Sequence, residues 1–162
     1  MPIVSKLIAA TVVVILTVSL LCASDAALGS VKLIEGYTLR RESAVDAAAW
    51  RIEKQNGLRI EFESGPSEGS WADPKDVKQY TWYRERTVNR HSVRLALTKP
   101  GLRTVWDERG DINPGNVLLI TFLLGGPGSA NTANFKAKIA SPAELADVLL
   151  MVLTFDPAKG GR

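Results

Sequence analysis

The residue that most invites a chemical reading is Ser67, because Gly65-Pro66-Ser67-Glu68-Gly69 matches the pattern G-x-S-x-G. In hydrolases that pattern presents a nucleophilic serine on a strained turn between a strand and a helix. An alternating, strand-like stretch does precede Ser67, but Ser70-Trp71-Ala72-Asp73-Pro74 follows it and reads as loop. The chain is also too short for the large parallel sheet of such hydrolases. The serine would need a histidine base. The chain has one histidine, His91, and strand pairing places it at a hairpin turn. A chance match in a Gly/Ser loop is the better reading, and no catalytic residue is assigned. A small exported hydrolase using Ser67 stands as the alternative.

Metal and cofactor chemistry have little to work with. One histidine and one cysteine cannot make a multi-histidine or multi-thiolate centre within one chain. Asp107, Glu108, Asp111 and Asn113 offer oxygens that could bind calcium. Their spacing lacks the alternating ligands and sixth-position glycine of an EF-hand, so a solvated loop is the simpler reading. Gly125-Gly126-Pro127-Gly128-Ser129 lacks the Gly-Lys-Ser/Thr ending of a phosphate cradle, and no helix follows it at once. It reads as a strand connection. The 17 acidic residues are scattered and single out no carboxylate pair. No metal and no cofactor is expected.

One cluster remains. Tyr80, Trp82, Arg84, Arg86 and His91 fall on or beside one strand. Arginines beside aromatic rings can hold anions or stack on flat ligands. These five residues are the expected ligand or partner surface. The bland alternative is that the arginine stems lie over the sheet with their heads in water, or that the strand is an edge.

The elements that must position this cluster follow from hydrophobic period. Trp50-Arg51-Ile52-Glu53-Lys54 and Leu58-Arg59-Ile60-Glu61-Phe62-Glu63 alternate apolar and polar, the period of a half-buried strand. A three-residue loop Gln55-Asn56-Gly57 with Gly57 left-handed sets Ile52 opposite Ile60 and Trp50 opposite Phe62. It also sets Arg51 opposite Glu61 and Glu53 opposite Arg59, so both faces agree. Residues 64–78 read as loop. Tyr80 to Val88 and His91 to Thr98 form a second hairpin about Asn89-Arg90, pairing Trp82 with Leu97 and Glu85 with Arg94. That register puts Arg84 and Arg86 on the face of Val93 and Leu95, a conflict in the pattern.

Residues 28–36 read as a leader into the domain. Residues 37–49 are either a short helix capped by Ser43 or an irregular lead-in. The loop of residues 99–116 can hold a short strand at Arg103–Trp106. Val117 to Leu124 reads as a continuous apolar run and suits a central strand buried on both faces. A last strand carries Phe135, Ala137 and Ile139. Ser141-Pro142-Ala143-Glu144 is a helix start with a serine cap. Leu145, Val148, Leu149 and Val152 recur at helical spacing, and Leu150, Met151 and Leu153 make the helix apolar nearly all round. Asp156-Pro157 ends it. The expected fold is α+β: an antiparallel sheet of five or six strands with one C-terminal helix packed on it. A small β-barrel closed by the helix is the alternative.

The N-terminus bears on where the protein works. Lys6, an apolar run from Leu7 to Leu21, and the small-residue exit Cys22-Ala23-Ser24-Asp25-Ala26-Ala27 are the parts of a secretory signal peptide. The run is about 15 residues, short of the ~20 that span a bilayer as a helix. The expected organisation is a signal peptide over residues 1–26, one domain over 27–157 and a loose tail over 158–162. An uncleaved signal would instead anchor the chain. A lipoprotein at Cys22 is disfavoured because Leu21 stands where a small residue is needed.

Cleavage removes the only cysteine and leaves a net charge close to the +3 of the whole chain, too small to argue for nucleic acid. The mature chain has no disulfide, no sequon and no membrane span, which fits a secreted or periplasmic bacterial protein. The signal sequence, Tyr80-Thr81-Trp82-Tyr83-Arg84-Glu85, Val93-Arg94-Leu95-Ala96-Leu97-Thr98 and the Ser-Pro-x-x-Leu helix ending Leu153-Thr154-Phe155 together resemble exported bacterial proteins of no assigned activity. That resemblance implies no site residues and no cofactor. The expected function is a non-enzymatic exported domain that binds an envelope partner or a small ligand.

Overall fold

Seven strands form the sheet, more than the five or six expected. They are β1 (Tyr37–Glu42), β2 (Ala48–Lys54), β3 (Arg59–Gly65), β4 (Tyr80–Val88), β5 (His91–Thr98), β6 (Val117–Leu123) and β7 (Thr132–Lys138), and helix α1 (Pro142–Val152) follows them. The computed structural model describes residues 31–42, 48–55, 57–65, 69–100, 116–125 and 130–157. The expected strand at Arg103–Trp106 and the Ser43 cap lie outside the described residues. All neighbours pair antiparallel, in the order β1-β2-β3-β7-β6-β5-β4. The sheet is open, with β1 and β4 as its edges, so it does not close into the alternative barrel. Among the described residues no helix is long and apolar enough to cross a membrane.

The unexpected strand is β1. Residues 37–42 are neither helix nor lead-in: Tyr37, Leu39 and Arg41 stand opposite Lys54, Ile52 and Trp50. Period two was hidden because Arg41 occupies an inward position. Its guanidinium lies 5.7 Å from the centroid of the Trp50 ring, so its stem covers apolar surface while its charge faces a π cloud.

The β2–β3 hairpin has the expected register on both faces: Ile52 opposite Ile60, Trp50 opposite Phe62, Arg51 opposite Glu61 and Glu53 opposite Arg59. The Lys54 N–H donates to the Leu58 carbonyl at 3.0 Å and the Gly57 N–H donates to the Lys54 carbonyl at 3.1 Å, closing the three-residue loop. Gly57 is not left-handed, however. Positive φ occurs at Gly36 and Gly69 among the described glycines, and an ordinary φ at Gly57 is enough to close this turn.

One face of the sheet carries the apolar core. Ile52, Ile60, Phe62, Val93, Ile120, Phe122 and Phe135 are each at most 2% exposed. All four phenylalanines of the chain meet there: Phe155 stands 5.8, 5.0 and 5.3 Å from Phe62, Phe122 and Phe135. Tilted and edge-on ring pairs of this kind add to the burial of area. Helix α1 starts as its sequence indicates. The Ser141 Oγ accepts from the Glu144 N–H at 3.2 Å, and the Glu144 carboxylate accepts from the Ala140 N–H at 2.6 Å. The helix is not buried all round. Val148, Met151 and Val152 face inward, Leu145 and Leu149 are half-buried, and Leu150 is 62% exposed. A helix lying on a sheet buries only the stripe turned toward it, whatever the composition of its outer side.

Candidate binding face on strand β4

Among the described residues strand β4 pairs only with β5, so one of its long sides is an edge of the described sheet. Trp82, Arg84 and Arg86 stand opposite Leu97, Leu95 and Val93, and Val88 stands opposite His91. Four of the five expected residues, Trp82, Arg84, Arg86 and His91, therefore share the helix-bearing face of the sheet. Tyr80 does not join them. A bulge between Tyr80 and Trp82 inserts one extra residue and turns Tyr80 to the opposite face. There Tyr80 is buried, and its hydroxyl donates to the Trp71 carbonyl at 3.3 Å.

On the helix-bearing face, Trp82 is 38% exposed, and the Arg84 guanidinium lies 5.9 Å from the centroid of its ring. Arg84 and Arg86 are both exposed. Among the described residues neither forms an ion pair with a carboxylate; each donates from Nη1 to the main-chain carbonyl just before it. Arg84 reaches the Tyr83 oxygen at 2.7 Å and Arg86 the Glu85 oxygen at 2.7 Å. The conflict in the pattern thus has a physical form. Two arginines lie at positions that a covered strand would fill with apolar side chains, and they curl over the strand's open side.

The turn that holds His91 is tight. Asn89 and Arg90 both have positive φ, 48° and 69°, as a two-residue type I′ turn requires. The Asn89 side chain donates to the Phe155 carbonyl at 2.8 Å, fixing the hairpin tip to the chain just beyond α1. On the other face of β4 the Tyr83 hydroxyl donates to the Glu85 carboxylate at 2.5 Å, and Glu85 pairs with Arg94 at 3.4 Å. Burial, and then the Glu85 carboxylate, push the Tyr83 phenol well above its usual range. Burial, with Asp76 next, pushes Tyr80 up to about 12.

Sequence reasoning missed a second feature, on the face opposite the helix. Asn134, Thr121 and Thr132 are buried in the middle strands and hold the segment 69–72 against the sheet. The Asn134 oxygen accepts from the Trp71 N–H at 3.1 Å and from the Thr121 hydroxyl at 2.7 Å. Its amide nitrogen donates to the Gly69 carbonyl at 3.0 Å and to Thr132 Oγ1 at 3.1 Å. The Thr121 Oγ1 in turn accepts from the Ala72 N–H at 3.1 Å. The only sequence signal was a polar residue inside an otherwise apolar run, such as Thr121 within Val117 to Leu124. The Thr121 hydroxyl is buried and doubly engaged, so the network is a latch rather than a nucleophile. Lys136 lies 5.4 Å from the centroid of the Trp71 ring, over the same segment.

Beyond the latch, this face carries charge pairs: Arg51 with Glu42, Arg40 with Glu53 at 2.8 Å, and Lys136 with Glu61 at 2.8 Å. Most of these side chains are half-buried, and as solvent-reached pairs they contribute little stability each and keep the face wet.

Ser67, the acidic cluster Asp107, Glu108, Asp111 and Asn113, and most of the 125–129 glycine stretch lie outside the described residues. Among the described residues, no group of three or more His, Cys, Asp or Glu side chains is placed to hold a metal ion. No protein-family model, curated protein or solved structure matches this chain.

Proposed function

We propose that the mature chain is an exported, non-enzymatic binding domain. Its ligand, an envelope component or a small molecule, is flat and anionic and lies along Trp82, Arg84, Arg86 and His91. The observation that carries this reading is the Arg84 guanidinium beside a part-exposed Trp82 ring, with Arg86 two residues further along the same face. Both arginines are spent on neutral carbonyls, and a carboxylate or phosphate is a stronger acceptor than a carbonyl. An incoming anion can therefore recruit guanidiniums that are already held at the surface. The Trp82 ring offers a stacking platform for a planar body next to that charge. The leader pattern at the N-terminus supports export.

The test is titration with an aromatic carboxylate such as benzoate, followed by tryptophan fluorescence, with Trp82→Phe identifying the reporting ring. Arg84→Ala with Arg86→Ala should weaken binding by about tenfold or more, as expected for lost charge-assisted hydrogen bonds. Unfolding free energy should move by less than about 0.5 kcal/mol, because both side chains are exposed. Unchanged affinity, or a loss explained by unfolding, would remove this face as the ligand site.

A further inference from the structure

The same two arginines bear on a separate question, which concerns main-chain groups and needs no ligand. Strand β4 has nine residues and is the longest in the sheet, yet among the described residues no strand pairs with one side of it. Which main-chain groups point outward follows from the neighbouring bonds. The Asn116 N–H donates to the Thr98 carbonyl at 3.3 Å, so Thr98 turns toward β6. The Lys99 N–H donates to the Gln79 carbonyl at 2.9 Å, so Lys99 turns toward the β4 side. Antiparallel alternation then directs Leu97, Leu95 and Val93 to β4, and their partners Trp82, Arg84 and Arg86 to β5. The residues between them, Tyr83, Glu85 and Thr87, turn their N–H and C=O groups away from the sheet. Two of those three outward carbonyls, at Tyr83 and Glu85, are the ones that accept from Arg84 and Arg86.

We propose that Arg84 and Arg86 close the β4 edge against pairing with a second copy of this chain. An added strand needs alternating donors and acceptors. With the Tyr83 and Glu85 carbonyls covered, that part of the edge offers donors only. Charge acts in the same direction. Antiparallel self-pairing centred on Arg84, Glu85 or Arg86 sets guanidinium against guanidinium across the two copies. The bulge between Tyr80 and Trp82 breaks the straight edge at its other end. Two arginines at inward-facing positions are therefore a device of the edge, and the flat aliphatic strand that the pattern calls for would be the sticky one.

The experiment compares the full chain with its Arg84→Thr/Arg86→Thr variant by hydrogen exchange at several protein concentrations. Threonine keeps strand propensity and cannot reach the carbonyls. In the parent, the outward amides of Tyr83, Glu85 and Thr87 should exchange at rates independent of concentration. In the variant, those three amides should slow by about tenfold or more as concentration rises, while the inward amides of Trp82, Arg84→Thr and Arg86→Thr stay protected throughout. If the double variant opens the hairpin, the single variants Arg84→Thr and Arg86→Thr each uncover one carbonyl and should show the effect beside that carbonyl alone. Outward amides that remain concentration-independent in every variant would overturn the proposal.

Discussion

In the β2–β3 hairpin the four cross-strand pairs nearest the turn match in kind: Ile52 faces Ile60, Trp50 faces Phe62, Arg51 faces Glu61 and Glu53 faces Arg59. In the β4–β5 hairpin the kinds disagree: Arg84 faces Leu95 and Arg86 faces Val93. The second hairpin also carries a bulge, and its turn holds two non-glycine residues at positive φ. A sequence that agrees with its fold at every level specifies structure, whereas local violations concentrate where something other than stability is served. The β2–β3 hairpin lies inside the sheet between β1 and β7, and its pairs nearest the turn agree on both faces. The β4–β5 hairpin ends the sheet, and its violations lie on the surface where a ligand or a second copy would arrive.

The widest separation between the two hairpins should appear on truncation. Phe62 is 2% exposed and packs against Phe135 at 4.7 Å, so Phe62→Ala should cost about 3–5 kcal/mol in urea unfolding. No exposed position on β4 should approach that figure. A comparable loss at Arg84 or Arg86 would make them part of the core and dissolve the contrast.

Alkali should then act mainly on the second hairpin. Tyr80 and Tyr83 are two of the chain's three tyrosines, both lie in β4, and both phenols are raised. Burial is the first cause at each, and at Tyr37 too, where the hydroxyl also donates to Asp147 at 2.7 Å. A folded state that holds its protons more tightly than the unfolded chain keeps their full contribution below pH 10, the ordinary phenol value. That contribution is lost as pH rises through the folded-state value, about 12 for Tyr80. Tyr80 alone should account for on the order of 2 kcal/mol across that window. Absorbance titration should find no tyrosine ionising at the free value while the fold persists, and a normal titration at pH 10 would contradict the buried placement of Tyr80.

The turn residues come next. Asn89 tolerates positive φ better than most residues and also donates to the Phe155 carbonyl, so Asn89→Ala should cost about 1–2 kcal/mol. Arg90 has φ 69° and no side-chain hydrogen bond to offset it among the described residues, so Arg90→Gly should stabilise by up to about 1 kcal/mol. A neutral Asn89→Ala would mean that the hairpin tip is not held to the end of α1.

What could be read from the residues alone follows the same division. Alternation located β2, β3, β5 and the β4–β5 register because cross-strand pairing is a local, period-two signal. The Ser141 cap was legible for the same reason, since its partners lie within one turn of helix. Strand β1 was not, because an exposed Arg41 stands on the core-side face, over the Trp50 ring. The bulge at Tyr80 was not, because one extra residue leaves no mark in composition. The Asn134 latch joins groups more than sixty residues apart, which no window along the chain can contain. The conflict at Arg84 and Arg86 was visible as a conflict. Its resolution needed the direction of the Tyr83 and Glu85 carbonyls.

The smallest expected effect lies back in the first hairpin and is the sharpest check on its turn. A left-handed Gly57 would make Gly57→Ala cost about 1 kcal/mol, the usual penalty for a Cβ at positive φ. The structure gives Gly57 an ordinary φ, and a Cβ there would meet the Lys54 Cβ at 3.6 Å, which is plain van der Waals contact. Alanine also has fewer unfolded conformations to lose than glycine. Gly57→Ala should therefore be neutral or stabilising by a few tenths of a kcal/mol. In the second hairpin, adding a glycine at Arg90 helps; in the first, removing one at Gly57 does no harm. A loss near 1 kcal/mol at Gly57 would place the strain of the molecule in both turns and leave the two hairpins alike in that respect.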